Sequence, residues 1–228
     1  MTTPQPPLPS PLATALRQQW AIVVVIVICT LIETTLSLGD IGLLPVGRVR
    51  QTVYEFFGFW PGLLGRWTPN YPLQPYTMFV TYSFLHSGPV HLAVNMLTLY
   101  SLGRVVLDRV GTFGFVFLYT AAVLGGALGF GLLAKTTSPM VGASGGLFGL
   151  AGGVLAWNYV DRFSAARRLW PVGRAVTGLL ALNLILWWLM DGLLAWQTHL
   201  GGFLAGWVAA LLVDPRSIAA ENQGDSPD

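Results

Sequence analysis

Four polar side chains in an otherwise apolar chain have the types and spacing to carry out chemistry. Ser144 lies in the glycine-rich segment 141–149, and His91, Asn95 and His199 lie at or near the starts of other apolar runs. A hydroxyl in such a run needs a hydrogen-bond partner, because hydrocarbon supplies none. Neutral imidazole can accept that proton and so activate the serine toward a carbonyl carbon. The residue types therefore indicate serine nucleophilic catalysis, provided that the fold brings them together.

The composition identifies the broad class of protein. The 228 residues are 54% hydrophobic and 10% charged, with a mean hydropathy of +0.61, whereas soluble domains carry roughly a quarter charged residues. We expect an all-α, multi-pass integral membrane protein embedded in the lipid bilayer. The net charge of +2 is too small to indicate nucleic acid as a partner. Cys29 is the single cysteine, so no intrachain disulfide can form.

Six apolar segments approach the ~20 residues that a helix needs to cross a bilayer. The predicted spans are 16–38, 91–107, 113–133, 144–160, 175–190 and 199–213. They form a six-helix membrane domain over 16–214, between a flexible proline-rich tail at 1–15 and a flexible tail at 215–228. The outer loop 39–90 is long, and its aromatic run 53–60 predicts that it lies in the membrane interface.

Basic residues predict the orientation of the spans. With the amino terminus inside, eight of the 12 Lys and Arg residues lie on the inner side and four on the outer side. Three of the outer four lie in the long loop, where the positive-inside rule counts least. We therefore expect both termini to be cytoplasmic. Short loops and the lack of a targeting segment favour a bacterial plasma membrane.

This topology places the reactive residues at one depth. Spans 2, 4 and 6 all run from outside to inside and begin at His91, Ser144 and His199. Asn95 follows His91 by four residues and so shares its helix face. Small residues let the backbones of spans 4 and 6 approach closely. The supporting glycines at this contact are Gly142, Gly145, Gly202 and Gly206.

Contact between spans 4 and 6 would bring Ser144 toward His199. Phe148 lies one turn after Ser144 and would pack against the imidazole. The oxyanion formed during attack needs donors, which the side chains of Asn95 and His91 and the backbone N–H of Ser144 can supply. No carboxylate lies in these motifs, so we predict a Ser-His dyad and not a triad.

These residues resemble the rhomboid family of intramembrane serine proteases. The likeness extends over about 75–214 and consists of His86-x4-His91-x3-Asn95, Gly142-x-Ser144-Gly145 and His199-x2-Gly202-x3-Gly206, in that order. It implies a six-helix bundle that cleaves transmembrane helices of other proteins near their outer ends, without a metal or cofactor. It also implies that Ser144 is the nucleophile, that His199 is the base and that His91 and Asn95 stabilise the oxyanion.

The chain departs from the family where the long loop is anchored. Many members have Trp-Arg shortly before the span 2 histidines, and this chain has Tyr76-Thr77-Met78 there. We therefore expect its loop to be anchored differently.

Two other interpretations use the same residues. His86, His91 and His199 could bind zinc, but His86 and His91 are five residues apart and do not share a helix face, and no His-Glu-x2-His sequence is present. The second is a catalytically silent rhomboid-like protein that binds client membrane helices. Such a binder does not require Ser144 together with His199, and this favours the protease.

Overall fold

A computed structural model describes residues 11–43 and 48–213 of the chain. Over these ranges the chain forms helices, short 3-10 turns and a single isolated bridge between Phe59 and Met140, so the predicted all-α class is confirmed. The helices are α1 Pro11–Asp40, α2 Val49–Phe57, α3 Gln74–Thr81, α4 Pro89–Leu133, α5 Ser144–Ser164, α6 Trp170–Leu189 and α7 Trp196–Leu212. The predicted tail segments 1–10 and 215–228 lie outside the described residues.

Helix α4 contains both the second and the third predicted spans. Its two arms meet at Gly111, which has φ 68° and ψ −176° inside an otherwise helical segment. Glycine adopts this conformation without a Cβ penalty, so the chain reverses here through a single residue. Among the described residues, three helical segments are long and apolar enough to cross a membrane, namely Gln19–Asp40, Pro89–Leu133 and Trp170–Leu189.

The first helix begins earlier than the sequence predicted. We expected a flexible tail through residue 15, but α1 starts at Pro11. Proline suits the first position of a helix, where its missing N–H leaves no hydrogen bond unmade, and the following Leu-Ala-Thr-Ala-Leu contains good helix formers. Helix α1 thus extends five residues before the predicted start of span 1 at residue 16.

The connection 39–90 is built around a buried aromatic ring. Phe59 is fully buried and makes edge-to-face contacts with Phe79, Tyr82 and Phe130. Edge-to-face packing of this kind stabilises aromatic clusters beyond the area that they bury. Two residues of the aromatic run, Phe56 and Phe57, remain exposed. Part of the aromatic run 53–60 thus packs on the helical core, and part of it is exposed at the surface.

An ion pair joins α1 to α2 close to the segment that precedes α4. Glu33 lies on α1 and is 1% exposed, and both of its carboxylate oxygens accept hydrogen bonds from Arg50, at 2.7 and 2.9 Å. Arg50 also donates to Asp40 at 2.7 Å and to the backbone carbonyl of His86 at 2.7 Å, and Tyr54 donates to that same carbonyl at 2.6 Å. The hydrogen bond to Glu33 raises the pKa of Arg50, so the guanidinium stays charged. This network anchors the connection to α1 and to the segment that precedes α4.

The core of the bundle is a contact between the backbones of α5 and α7. A methyl group on Gly202 would overlap the carbonyl oxygen of Gly145, and one on Gly206 would overlap that of Gly149. On its other side, α7 approaches α4 equally closely, because a methyl group on Gly201 would overlap the carbonyl oxygen of Gly125. Such approach maximises van der Waals contact between helices whose surroundings are as apolar as their side chains.

Helix α6 packs much less than its neighbours. Val172 is its one buried residue, and its leucines and tryptophans are mostly exposed. Its apolar surface is suited to contact with lipid.

Replacing Gly206 tests the contact between α5 and α7. We expect Gly206→Ala to push the helices apart and to lower stability by about 1–3 kcal/mol, the range for overpacking. The matched control is Gly178→Ala on α6, where the added methyl group meets nothing within 4 Å, and we expect it to be neutral or slightly stabilising. Thermal unfolding in detergent measures both changes. Equal midpoints for the two variants would contradict the close contact.

Replacing Arg50 tests the buried ion pair. Arg50→Met leaves the Glu33 carboxylate buried without its guanidinium, which typically costs about 3–5 kcal/mol. Adding Glu33→Leu removes the stranded charge, so the double variant should regain most of the lost stability. The control is Arg66→Met, at an exposed arginine of the same connection. Thermal unfolding that fails to separate Arg50→Met from this control would show that the pair contributes nothing.

Candidate active site

Ser144 and His199 meet at the starts of α5 and α7. Ser144 is the first residue of α5, and its Oγ lies 2.9 Å from Nε2 of His199, the fourth residue of α7. The two residues lie 55 positions apart in sequence. They are held together by the adjacent contact between Gly145 and Gly202. The expected approach of these helices, and of these two side chains, is therefore present.

The imidazole of His199 is held on its face and at its far edge. The ring of Phe148 stacks on it with a centroid separation of 4.1 Å and an interplanar angle of 6°. At the far edge, Nδ1 lies 2.8 Å from Oδ1 of Asn183 on α6. Stacking fixes the plane of the ring, and the hydrogen bond fixes its rotation within that plane. His199 is itself 4% exposed, so bulk water does not compete for either contact.

Sequence reasoning missed Asn183. The predicted partners of His199 lie at the starts of the even-numbered spans, whereas Asn183 lies within α6. Any third member was expected to be a carboxylate, whereas Asn183 is an amide. A signal was available, because Asn183 is a single amide within the apolar run Leu-Leu-Ala-Leu-Asn-Leu-Ile-Leu. A polar side chain in such a run needs a partner in the bundle.

His91 is oriented by the turn that precedes α4. The backbone N–H of Ser87 lies 3.3 Å from Nδ1 of His91, and the Ser87 hydroxyl lies 2.9 Å from it. A backbone N–H can only donate, so Nδ1 accepts and the proton of the neutral ring is on Nε2. His91 thus presents an N–H donor on the side away from Ser87.

Asn95 lies one turn after His91 and carries an unused donor. It is 4% exposed, and its Nδ2 has no hydrogen-bond partner among the described residues. An amide hydrogen buried without a partner costs free energy, so such groups are rare in folded proteins. This donor is therefore available to a ligand or a reaction intermediate.

Gly142 keeps open the space that His91 and Asn95 border. Its φ is 129°, which only glycine adopts readily. A methyl group there would lie 2.9 Å from Cε1 and 3.1 Å from Nε2 of His91, and 3.8 Å from Nδ2 of Asn95. The small space beside Gly142, two residues before Ser144, is therefore lined by the donors of His91 and Asn95.

His86 is placed behind this space and not in it. Its ring lies edge-on to that of His91, with centroids 5.2 Å apart. Burial lowers the pKa of His86 to about 3, so the ring is neutral at physiological pH. Among residues 11–43 and 48–213, no group of three His, Cys, Asp or Glu side chains is arranged to hold a metal ion.

Together, these groups have an arrangement that could support acyl chemistry. The Ser144 hydroxyl contacts an imidazole nitrogen of His199, the imidazole is held by Phe148 and Asn183, and the side-chain nitrogens of His91 and Asn95 border the small space beside Gly142. The remaining supporting residues, Gly145, Gly202 and Gly206, act through the contact between α5 and α7.

Comparison with known proteins gives a consistent result. The family model described as a rhomboid domain matches residues 73–216. RHOMBOID-like protein 4 of Arabidopsis thaliana is 34% identical over 140 residues, which cover 58% of this chain and 33% of that protein. Rhomboid protease GluP of Bacillus subtilis is 31% identical over 126 residues, covering 55% and 24%. Rhomboid-related protein 3 of Homo sapiens is 32% identical over 107 residues, covering 46% and 26%.

The similarity to these relatives covers only part of each protein. This chain spans a third or less of the length of these three relatives. The family match nevertheless includes more than half of the chain and contains His91, Asn95, Ser144 and His199. On this evidence the chain belongs to the rhomboid family.

Proposed function

We propose that this protein is an intramembrane serine endopeptidase that hydrolyses peptide bonds in or near the transmembrane helices of other membrane proteins. The observation that carries the proposal is the 2.9 Å contact between the Ser144 hydroxyl and Nε2 of His199. A membrane helix has little reason to keep a serine and a histidine together, away from water, unless the pair reacts.

The proposed reaction begins with attack by Ser144 on the substrate carbonyl. The hydroxyl proton passes to Nε2 of His199 while Oγ bonds to the carbonyl carbon, and the carbonyl oxygen becomes an oxyanion. When this intermediate collapses, the C–N bond breaks and the leaving amine takes the proton from His199. Water then attacks the ester on Ser144, again with His199 as base, and releases the carboxylic acid and the free serine.

His91 and Asn95 supply the proposed oxyanion site. Nε2–H of His91 and Nδ2–H of Asn95 both face the space beside Gly142, and the backbone N–H of Ser144 lies in the first turn of α5, where backbone N–H groups have no partner within the helix. These donors stand ready before the reaction and lie where water is scarce. Donors of this kind stabilise the transition state more than the substrate, because charge develops only during attack.

The proposed substrate is a locally unwound transmembrane segment. Backbone carbonyls in a regular helix are hydrogen-bonded to N–H groups and surrounded by side chains, so the scissile bond must first leave the helix. Family members favour small residues at the cut and locally unstable helices, and we extend that preference to this chain. The reaction requires no metal and no cofactor.

For the setting, we propose a multi-pass protein with both termini in the cytoplasm of a bacterial cell. The distribution of arginines supports this orientation. The short loops between the later spans support a bacterial plasma membrane. Under this arrangement, Ser144 and His199 lie toward the outer face, where water for hydrolysis can reach them.

Labelling with a fluorophosphonate tests for an activated serine. We expect detergent-purified wild-type protein to be labelled, and both Ser144→Ala and His199→Ala to lose the label, because the probe needs a hydroxyl activated by a base. Ser101→Ala, which removes an exposed hydroxyl on α4 that bonds to Leu97, should be labelled like wild type. Cleavage of a helical membrane substrate should follow the same order.

Two outcomes would overturn the assignment. Cleavage by folded Ser144→Ala would exclude Ser144 as the nucleophile. Wild-type protein that shows a normal unfolding transition but takes up no probe would favour the silent, client-binding alternative.

Replacing Asn95 tests the oxyanion site. We expect Asn95→Ala to lower kcat, because the activation free energy should rise by at most ~2.7–4 kcal/mol, the contribution of one oxyanion donor. The other donors remain in this variant. Stability should change little, since Nδ2 makes no hydrogen bond to the described residues in the resting protein. Asn158→Ala is the control, because that amide bonds only locally, to Val154. A normal kcat with a lowered unfolding midpoint would make Asn95 a structural residue.

A further inference from the structure

We infer that Asn183 is a positioning residue that holds His199 in the one tautomer able to accept the proton of Ser144. The inference rests on the proposed function and extends it, because it adds to the serine and the histidine a third residue from a different helix. Asn183 does not reach the reacting atoms. It acts through the 2.8 Å contact between its Oδ1 and Nδ1 of His199.

The argument begins with the two nitrogens of the imidazole. A neutral ring carries one proton, so one nitrogen donates and the other accepts. The amide oxygen of Asn183 can only accept, and its presence at Nδ1 therefore requires the proton to be there. Nε2 is then left with its lone pair directed at the Ser144 hydroxyl, 2.9 Å away. The opposite tautomer would place two acceptors face to face at Nδ1, and its Nε2–H would donate to Oγ, leaving no lone pair to accept the serine proton.

His91 gives an internal comparison. Its Nδ1 accepts from the backbone N–H of Ser87, so its proton is on Nε2. The two histidines of the site thus hold opposite tautomers, and in each case the partner at Nδ1 sets the choice. One ring is prepared to donate to an oxyanion and the other to accept a proton.

The surroundings of Asn183 favour this function over simple helix packing. Asn183 is half-buried on α6, a helix in which Val172 is the one fully buried residue. An amide in such a helix is costly unless it is hydrogen-bonded. Its side-chain bond is made to the proposed catalytic base and not to a backbone carbonyl of its own helix. If α6 needed only an apolar surface, leucine at this position would serve better.

An amide also suits the charge of the site. During attack, His199 becomes positively charged, and Oδ1 of Asn183 is a dipole oriented to stabilise that charge. A carboxylate would stabilise it more, but would itself be buried and charged in the resting protein, at a cost of several kcal/mol. Among the described residues, no carboxylate hydrogen-bonds to either nitrogen of His199, so the amide is the group that fills this role.

The experiment compares Asn183→Leu and Asn183→Asp with wild type. We expect Asn183→Leu to lower kcat about 10- to 100-fold with little change in KM, because the lost hydrogen bond acts on the base and not on substrate binding. Asn183→Asp can accept but not donate, so it should restore most of the activity. Its negative charge favours the protonated imidazole, and the acidic limb of the pH profile should therefore move to higher pH. Thr177→Val, an exposed substitution on the same helix, should leave both properties unchanged.

A second measurement does not depend on activity. The chain has three histidines, so the imidazole ¹⁵N resonances of labelled protein can be assigned by substitution. We expect His199 to be protonated at Nδ1 in wild type and in Ser144→Ala, and to become a mixture of tautomers in Asn183→Leu. This measurement separates the positioning role of Asn183 from the proposed protease activity. A protein that is never labelled by fluorophosphonate can still hold His199 in the tautomer that Asn183 imposes.

Three results would overturn the inference. One is a wild-type kcat and pH profile in Asn183→Leu. Another is failure of Asn183→Asp to recover activity in folded protein, which would indicate a packing role. The third is a His199 resonance protonated at Nε2 in wild type.

Discussion

The contact between the backbones of α5 and α7 is the constraint on which the proposed site depends. A serine and a histidine can share a hydrogen bond only if their helices come closer than ordinary side chains permit. Gly145 follows Ser144 directly, and Gly202 lies three residues after His199, so the glycine contact and the side-chain contact are parts of one interface. The second glycine pair, Gly149 and Gly206, lies one turn further along both helices. Together the pairs fix the distance and the register.

Hydrogen bonding in an apolar medium explains two further polar side chains. Glu33 is matched by Arg50, and the amide of Asn183 is matched by His199. Nδ2 of Asn95 is instead one of several buried polar atoms that have no hydrogen-bond partner among the described residues. The Asn95 donor lies beside Gly142, whose φ of 129° only glycine adopts readily.

Much of the site could be predicted from the sequence, since topology alone places His91, Ser144 and His199 at one depth, and the glycines of spans 4 and 6 indicate which spans touch. The stacking of Phe148 follows from helical spacing. The starts of the even-numbered spans, however, do not identify lateral neighbours from within the odd-numbered spans, and Asn183 is such a neighbour. The Arg50 network and the inward-facing Phe59 depend on how a long connection folds back on the bundle, and local patterns do not encode this.

The position of Asn183 links the proposed site to α6, the least buried of the three long apolar helices among the described residues. The other contacts of His199 come from α5, whose glycines lock it against α7, so Ser144 and Phe148 keep their places as long as the core does. Asn183 instead belongs to α6, which buries one residue of its twenty. A small displacement of α6 would break the bond to Nδ1 without disturbing the serine contact. The preference of His199 for one tautomer would then be lost while the fold stayed intact. A carboxylate on so loosely packed a helix would add the cost of a buried charge each time the bond broke, whereas a neutral amide can lose its partner at far lower cost.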